Sequence, residues 1–230
     1  MTYLIAEFGS SPAPDWDFAT WCAAARQSGA DAVKAQLWRA DHFPEEERAA
    51  KRPFEFPRER YQEFVEVAHS LILGAGASVF DPEAIKIVLE SRSVFLKLAA
   101  REQCNRPLIE ECYYADRKIP IYRSISHCRL DEFMLLEKGV TLFTIQRYPT
   151  PLFSALWWLW RASRFFKSER IDYWGWSSHT RGYFDCIMAA RLGALIIEKH
   201  FALSRGDVEA GHGLLPDPFS EMARRLNDKG

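Results

Sequence analysis

Cysteine is sparse in this 230-residue chain, and the five that occur (Cys22, Cys104, Cys112, Cys128 and Cys186) are odd in number and lack a CxxC pair. Neither a disulfide framework nor a zinc knuckle is therefore expected, and a reducing cytoplasm fits best. An excess of charge is missing too. With 30 basic and 31 acidic residues the net charge is -1, which gives no reason to expect nucleic-acid binding. No apolar run reaches bilayer length: the most lipid-like stretch, residues 151–166, holds Trp157, Trp158 and Trp160 but also Arg161 and Arg164, so no membrane contact is expected. The start has no basic n-region and meets an acid at Glu7, unlike a signal peptide. GxGxxG and GxxxxGKS/T loops, low-complexity tracts and internal repeats are also absent. That removes the usual support for an open-sheet nucleotide binder.

What the chain does have is alternation. Short β-branched or aromatic runs at 3–8, 32–37, 77–80, 94–99, 120–125, 141–146, 172–177 and 194–200 are interleaved with helical-period segments near 15–28, 57–73, 82–90, 107–115, 130–137, 151–167, 181–192 and 217–228. Eight such units predict an α/β fold, a closed (β/α)8 TIM barrel forming one domain over residues 1–230. Asp15, Asp81 and Asp217 stand where N-caps belong, with Pro82 and Pro218 at the first helical position. The charged segment 39–60 reads as a long loop.

Two histidines close successive predicted strands: His179 in Trp174-Gly-Trp-Ser-Ser-His179 and His200 in Ala194-Leu-Ile-Ile-Glu-Lys-His200. If those strands are parallel neighbours, both imidazoles reach one sheet edge about 5 Å apart, which suits two ligands of one divalent metal. A single such histidine is usually just a packed side chain; two at equivalent strand ends argue for chemistry. The same rim would receive Glu7, Lys34, Gln36, Lys97, Arg101, Glu102, Arg123, Ser124, Gln146, Arg147, Tyr148, Ser177 and Glu198. A charge at a strand end is commonly solvated, but Lys34, Lys97 and Glu7 are embedded in apolar runs, where a charge is costly without a partner. Cations, hydroxyls, imidazoles and carboxylates on one rim suit a phosphorylated anion beside a metal-bound carbonyl. His212 has no comparable placement, although its loop, Ala210-Gly-His-Gly213, could approach a ligand closely.

Several segments carry a family resemblance: Ile5-Ala-Glu-Phe-Gly9, Gly29-Ala-Asp-Ala-Val-Lys-Ala-Gln36, Phe80-Asp-Pro-Glu83, Phe95-Leu-Lys97 with Glu102 and Asn105-Arg-Pro-Leu108, Tyr148-Pro-Thr-Pro151, Ser177-Ser-His-Thr180 and Leu192-Gly-Ala-Leu-Ile-Ile-Glu-Lys-His-Phe201. In content and order they resemble the N-acetylneuraminate (sialic acid) synthases and related nonulosonate synthases, metal-dependent barrels that condense phosphoenolpyruvate with an N-acylated amino sugar. The resemblance implies a divalent metal (Mn2+, Mg2+ or Co2+) on His179 and His200. It implies phosphoenolpyruvate contacts from Lys34, Lys97, Ser78, Ser124, Gln146 and Ser177, a sugar facing Glu7 and Tyr148, and Glu102 as the catalytic carboxylate.

Departures are concentrated in the loops. Ser10-Ser-Pro-Ala13 replaces an Asn-His-Asn-Gly-like turn, Ala100-Arg101-Glu102 replaces Ser-Gly-Glu, Ser178 replaces an aspartate beside the metal histidine, and Gln146 stands for asparagine. Arg101, Arg123 and Arg147 are expected to make up lost phosphate contacts through their guanidinium forks. The resemblance covers the barrel alone, without the family's antifreeze-protein-like C-terminal domain. The expectation is a transferase of the phosphoenolpyruvate-condensing type, a homodimer or higher homo-oligomer through the tryptophan-rich helix. The alternatives are another metal-dependent barrel aldolase or lyase, or a noncatalytic synthase-like protein.

Overall fold

Eight short strands pair in parallel and in chain order, and the last pairs with the first to close a barrel. The computed structural model describes residues 2–11, 15–114, 119–127 and 139–228. Within them the order is β1 (Tyr3–Glu7), α1 (Phe18–Gln27), β2 (Ala32–Gln36), α2 (Glu45–Lys51), α3 (Tyr61–Ser70), β3 (Gly74–Val79), α4 (Pro82–Glu90), β4 (Phe95–Leu98), α5 (Arg106–Tyr114), β5 (Ile121–Ser126), β6 (Val140–Thr144), α6 (Leu152–Ser168), β7 (Trp174–Ser178), α7 (Phe184–Arg191), β8 (Ile196–His200) and α8 (Pro216–Asn227). The expected helix at 130–137 lies outside the described residues. No helix among the described residues is long and apolar enough to cross a membrane.

Alternation along each strand sorts side chains into two cores. One face packs under the helices, where Phe8, Trp21, Phe64, Phe143, Trp176 and Phe201 are buried together. The other fills the barrel in tiers. An apolar tier holds Ile5, Ala32, Phe95, Tyr122, Leu142 and Ile196, with the Phe95 and Tyr122 rings stacked 4.8 Å apart. Gly76 belongs to this tier because a Cβ there would come within 2.4 Å of the Phe95 ring. Two residues further along the same strands stand Glu7, Lys34, Ser78, Lys97, Ser124, Thr144, Ser177 and Glu198, all buried.

Local chemistry accounts for the helix starts, with two corrections. Asp81 caps α4, accepting from Ala84 N at 2.8 Å, with Pro82 at the first helical position. The cap of α1 is Asp17, not Asp15: its carboxylate accepts from Thr20 N at 3.1 Å. The last helix starts one residue before Asp217, with Pro216 rather than Pro218 at the first position; Asp217 instead lies in the first turn, where the helix dipole favours a carboxylate. Segment 39–60 is not a plain loop, since it contains α2 and three 3-10 turns. Arg58 in the last of these is buried and donates to Asp81 Oδ2 and to the Leu37 carbonyl, both at 2.5 Å, which ties the segment to the end of β2.

Candidate active site

A cavity of about 360 Å³ opens at the carboxyl ends of the strands, within the roughly 300–1,000 Å³ usual for small-ligand sites. Its floor is the polar tier. The Lys34 ammonium contacts the Glu7 carboxylate, donates to Ser78 Oγ at 2.7 Å and lies 3.3 Å from Glu198 Oε2. Lys97 donates to Glu198 Oε1 at 2.5 Å, and Ser177 Oγ donates to the same oxygen at 2.7 Å. Two cations and two carboxylates thus form one continuous chain, Glu7 to Lys34 to Glu198 to Lys97.

Electrostatics follow from that arrangement. Burial works against the Glu198 carboxylate, but Lys34 and Lys97 overcome it and hold its pKa far below the usual range. Burial would likewise lower Lys34, yet Glu198 and Glu7 outweigh it and its pKa rises. Lys97 has less carboxylate help, and burial pushes it down to about 8.

Above the floor stand the imidazoles. His179 Nδ1 lies 2.7 Å from the Ile145 carbonyl, so it carries the proton and leaves the Nε2 lone pair for a ligand. Burial, then the neighbouring His200, holds the His179 pKa well below the ordinary value. The His179 and His200 ring centroids are 5.3 Å apart, in keeping with the strand-end placement. Tyr148 leans on this group, 4.1 Å from the His179 ring. Across the rim, Glu209 Oε2 is 2.9 Å from His200 Nδ1 and 2.8 Å from His212 Nε2. Neither nitrogen is aligned for a hydrogen bond.

The structure brings together Glu7, Lys34, Lys97, Ser78, Ser124, Gln146, Tyr148, Ser177, Arg101, His179 and His200 around this one cavity. Three expected residues are elsewhere. Arg123 neighbours the inward Ser124 on β5 and therefore points to the opposite face, where it is buried away from the cavity. Arg147 lines a separate cleft of about 740 Å³ with Arg181, Tyr183 and Phe184. Glu102 is outside the cavity wall, accepting from Asn105 Nδ2 at 2.9 Å and lying 3.2 Å from Arg101 Nε. Lining residues not singled out as ligands include Glu198, Thr144 and Glu209. Glu198 had a signal, since it sits two residues before His200 on one strand face; Glu209 had none.

Fold and site define a (β/α)8 barrel with a lysine–carboxylate floor beneath a histidine rim. Residues 21–229 match the NeuB family, and the chain belongs to it. It is 26% identical to N,N'-diacetyllegionaminic acid synthase of Legionella pneumophila over 98% of this chain and 71% of that protein. With pseudaminic acid synthase of Helicobacter pylori it shares 28% identity over 75% of this chain and 51% of that protein. The fold is likewise that of the N-acetylneuraminic acid synthetase of Leptospira borgpetersenii, solved with citrate: the TM-score is 0.86 at 23% identity, over 98% of this chain and 82% of that one.

Proposed function

We propose that this protein condenses phosphoenolpyruvate with an open-chain N-acylated amino sugar to make a nonulosonate, releasing phosphate. The observation that carries this reading is the pairing of two buried lysines, Lys34 and Lys97, with Ser78, Ser124 and Ser177 on a floor directly under buried His179 and His200. The synthase names of the relatives support it.

The residues divide the work. Lys34 is committed to Ser78 by a hydrogen bond and to the Glu7 and Glu198 carboxylates by ion pairs. Lys97 makes one such contact among the described residues, to Glu198, so it keeps donors for the phosphate or carboxylate of the substrate. The free Nε2 of His179 and the unaligned, buried Nδ1 of His200 fit a divalent ion (Mn2+, Mg2+ or Co2+). When bound, such an ion polarises the sugar aldehyde. Carbon 3 of phosphoenolpyruvate then bonds to the aldehyde carbon, whose oxygen gains a proton. Water adds at carbon 2 and the bond from carbon 2 to the phosphate oxygen breaks, leaving a 2-oxo acid and inorganic phosphate. Glu7 lines the cavity whereas Glu102 is held by Asn105, which favours Glu7 as acceptor of the water proton. Tyr148 and Gln146 on the wall would face the sugar. Phosphorylated substrates and the free thiols of Cys22, Cys104, Cys112 and Cys186 accord with a cytoplasmic setting.

The test is phosphate release from phosphoenolpyruvate with Mn2+ and a panel of N-acyl amino sugars. Release is expected only when ion and a suitable sugar are both present. No release with any sugar, together with no phosphoenolpyruvate binding by calorimetry, would overturn the reading.

A further inference from the structure

Among the described residues, the group of three side chains placed to hold a metal ion does not contain both strand-end histidines, His179 and His200. It is His200, Glu209 and His212, whose ligand atoms all lie within 4.8 Å of one another. His200 ends β8, Glu209 sits in the 3-10 turn Val208–Gly211, and His212 follows that turn.

The loop is built to hold this group. Ser10 N donates to Glu209 Oε1 at 3.0 Å, anchoring one carboxylate oxygen and leaving Oε2 turned toward both imidazoles. Gly9 has a φ of +53°, and a Cβ there would come within 2.3 Å of Glu209 Oε1, so glycine makes the space that the carboxylate occupies. Gly213 N bonds to the Glu209 carbonyl at 2.6 Å, and Leu214 N to that of His200 at 2.8 Å, pinning the loop to β8. The His200 and His212 rings are 4.4 Å apart at their centroids.

Two ring nitrogens within 3 Å of one carboxylate oxygen would normally donate to it. Here neither does, and both are buried. His200 is more than nine-tenths buried, where an unsatisfied nitrogen is costly. Three donors converging without hydrogen bonds among themselves match the coordination of a cation.

We propose that Glu209 and His212, together with His200, bind the divalent ion directly, and that two imidazoles and a carboxylate make this a seat for a first-row transition ion rather than Mg2+. Imidazole donors suit the later first-row ions, Fe2+ through Zn2+, whereas Mg2+ prefers oxygen ligands and retained water. This deepens the metal reading given above, in which His179 and His200 suffice.

Chelator-treated protein titrated with Co2+, followed by calorimetry and by the visible ligand-field spectrum, separates the two readings. The wild type is expected to bind one equivalent that a hundredfold excess of Mg2+ fails to displace. Glu209→Gln and His212→Asn should each weaken Co2+ by about 100-fold or more, beyond the 10- to 100-fold typical of outer-shell losses, and each should change the spectrum, with far-UV circular dichroism confirming the fold. If both variants bind Co2+ with unchanged affinity and spectrum while His179→Ala loses it, the proposal is overturned and the two-histidine reading stands. Displacement by Mg2+ would overturn the preference for a transition ion. If the wild type binds neither Co2+ nor Mn2+, the metal reading itself fails and the proposal with it.

Discussion

One step of the strand pleat separates two unlike interiors. Ile5, Ala32, Phe95, Tyr122, Leu142 and Ile196 form an apolar plug, and two residues on, the same strands present Glu7, Lys34, Lys97, Ser124, Thr144 and Glu198. Both tiers are buried, yet they are stabilised differently. The lower tier rests on area removed from water and on close packing. The upper one gains little from burial, because each charge costs several kcal/mol to desolvate and is tolerated only through its partners. Strength in the first is spread over many contacts; in the second it hangs on a few.

The sharpest way to break the contrast is to damage each tier once. Glu198→Ala strands Lys34 and Lys97 and should cost about 3–5 kcal/mol while also abolishing turnover. Phe95→Ala should cost a similar 3–5 kcal/mol through its cavity, but protein that remains folded should keep near-normal phosphoenolpyruvate affinity. Denaturant melts paired with phosphate-release kinetics read both, and equal loss of affinity in the two variants would dissolve the distinction.

A subtler probe is pH. Burial pushes the Lys97 pKa from its ordinary 10.5 down to about 8, so Lys97 loses its charge as pH rises through 8 and kcat/KM for phosphoenolpyruvate should decline above it. The stability sign is opposite: between about pH 8 and 10.5 the unfolded chain binds more protons than the folded one, so this group adds stability as pH climbs. Lys97→Arg should flatten the kinetic decline. A wild-type profile that stays level from about pH 7 to 9 would contradict the assigned role of Lys97.

The smallest expected effect lies outside the barrel. α6 buries Ala155, Leu159, Ala162 and Phe166 yet leaves Phe153, Trp157 and Trp160 exposed, Phe153 at 83%. A second copy covering that face is expected, so Trp157→Glu should weaken self-association without altering the floor. Wild-type protein sedimenting as a monomer at micromolar concentration would remove it.

The sequence showed the barrel through its eight alternating units, and it showed Lys34, Lys97 and Glu7 because charges inside apolar runs are conspicuous. It misled wherever strand parity was ignored: Arg123 and Ser124 are adjacent on β5, so only one of them faces the cavity. α2 was hidden because it buries none of its residues and so has no apolar stripe. Glu209 was invisible for another reason. Its place beside His200 depends on how an irregular turn folds back, and no period of the chain records that.

The hydrogen bond from Ser10 N to Glu209 joins residues 199 apart in sequence, across the seam where β1 meets β8. Closing a loop of that length is the slowest kind of contact a chain makes. The mouth of the barrel therefore cannot be assembled piecemeal as the chain is synthesised. Its first element, Glu7, waits for β8 to be made before it gains His200 as a strand neighbour, and any event that opens this one seam dismantles floor and rim at the same time.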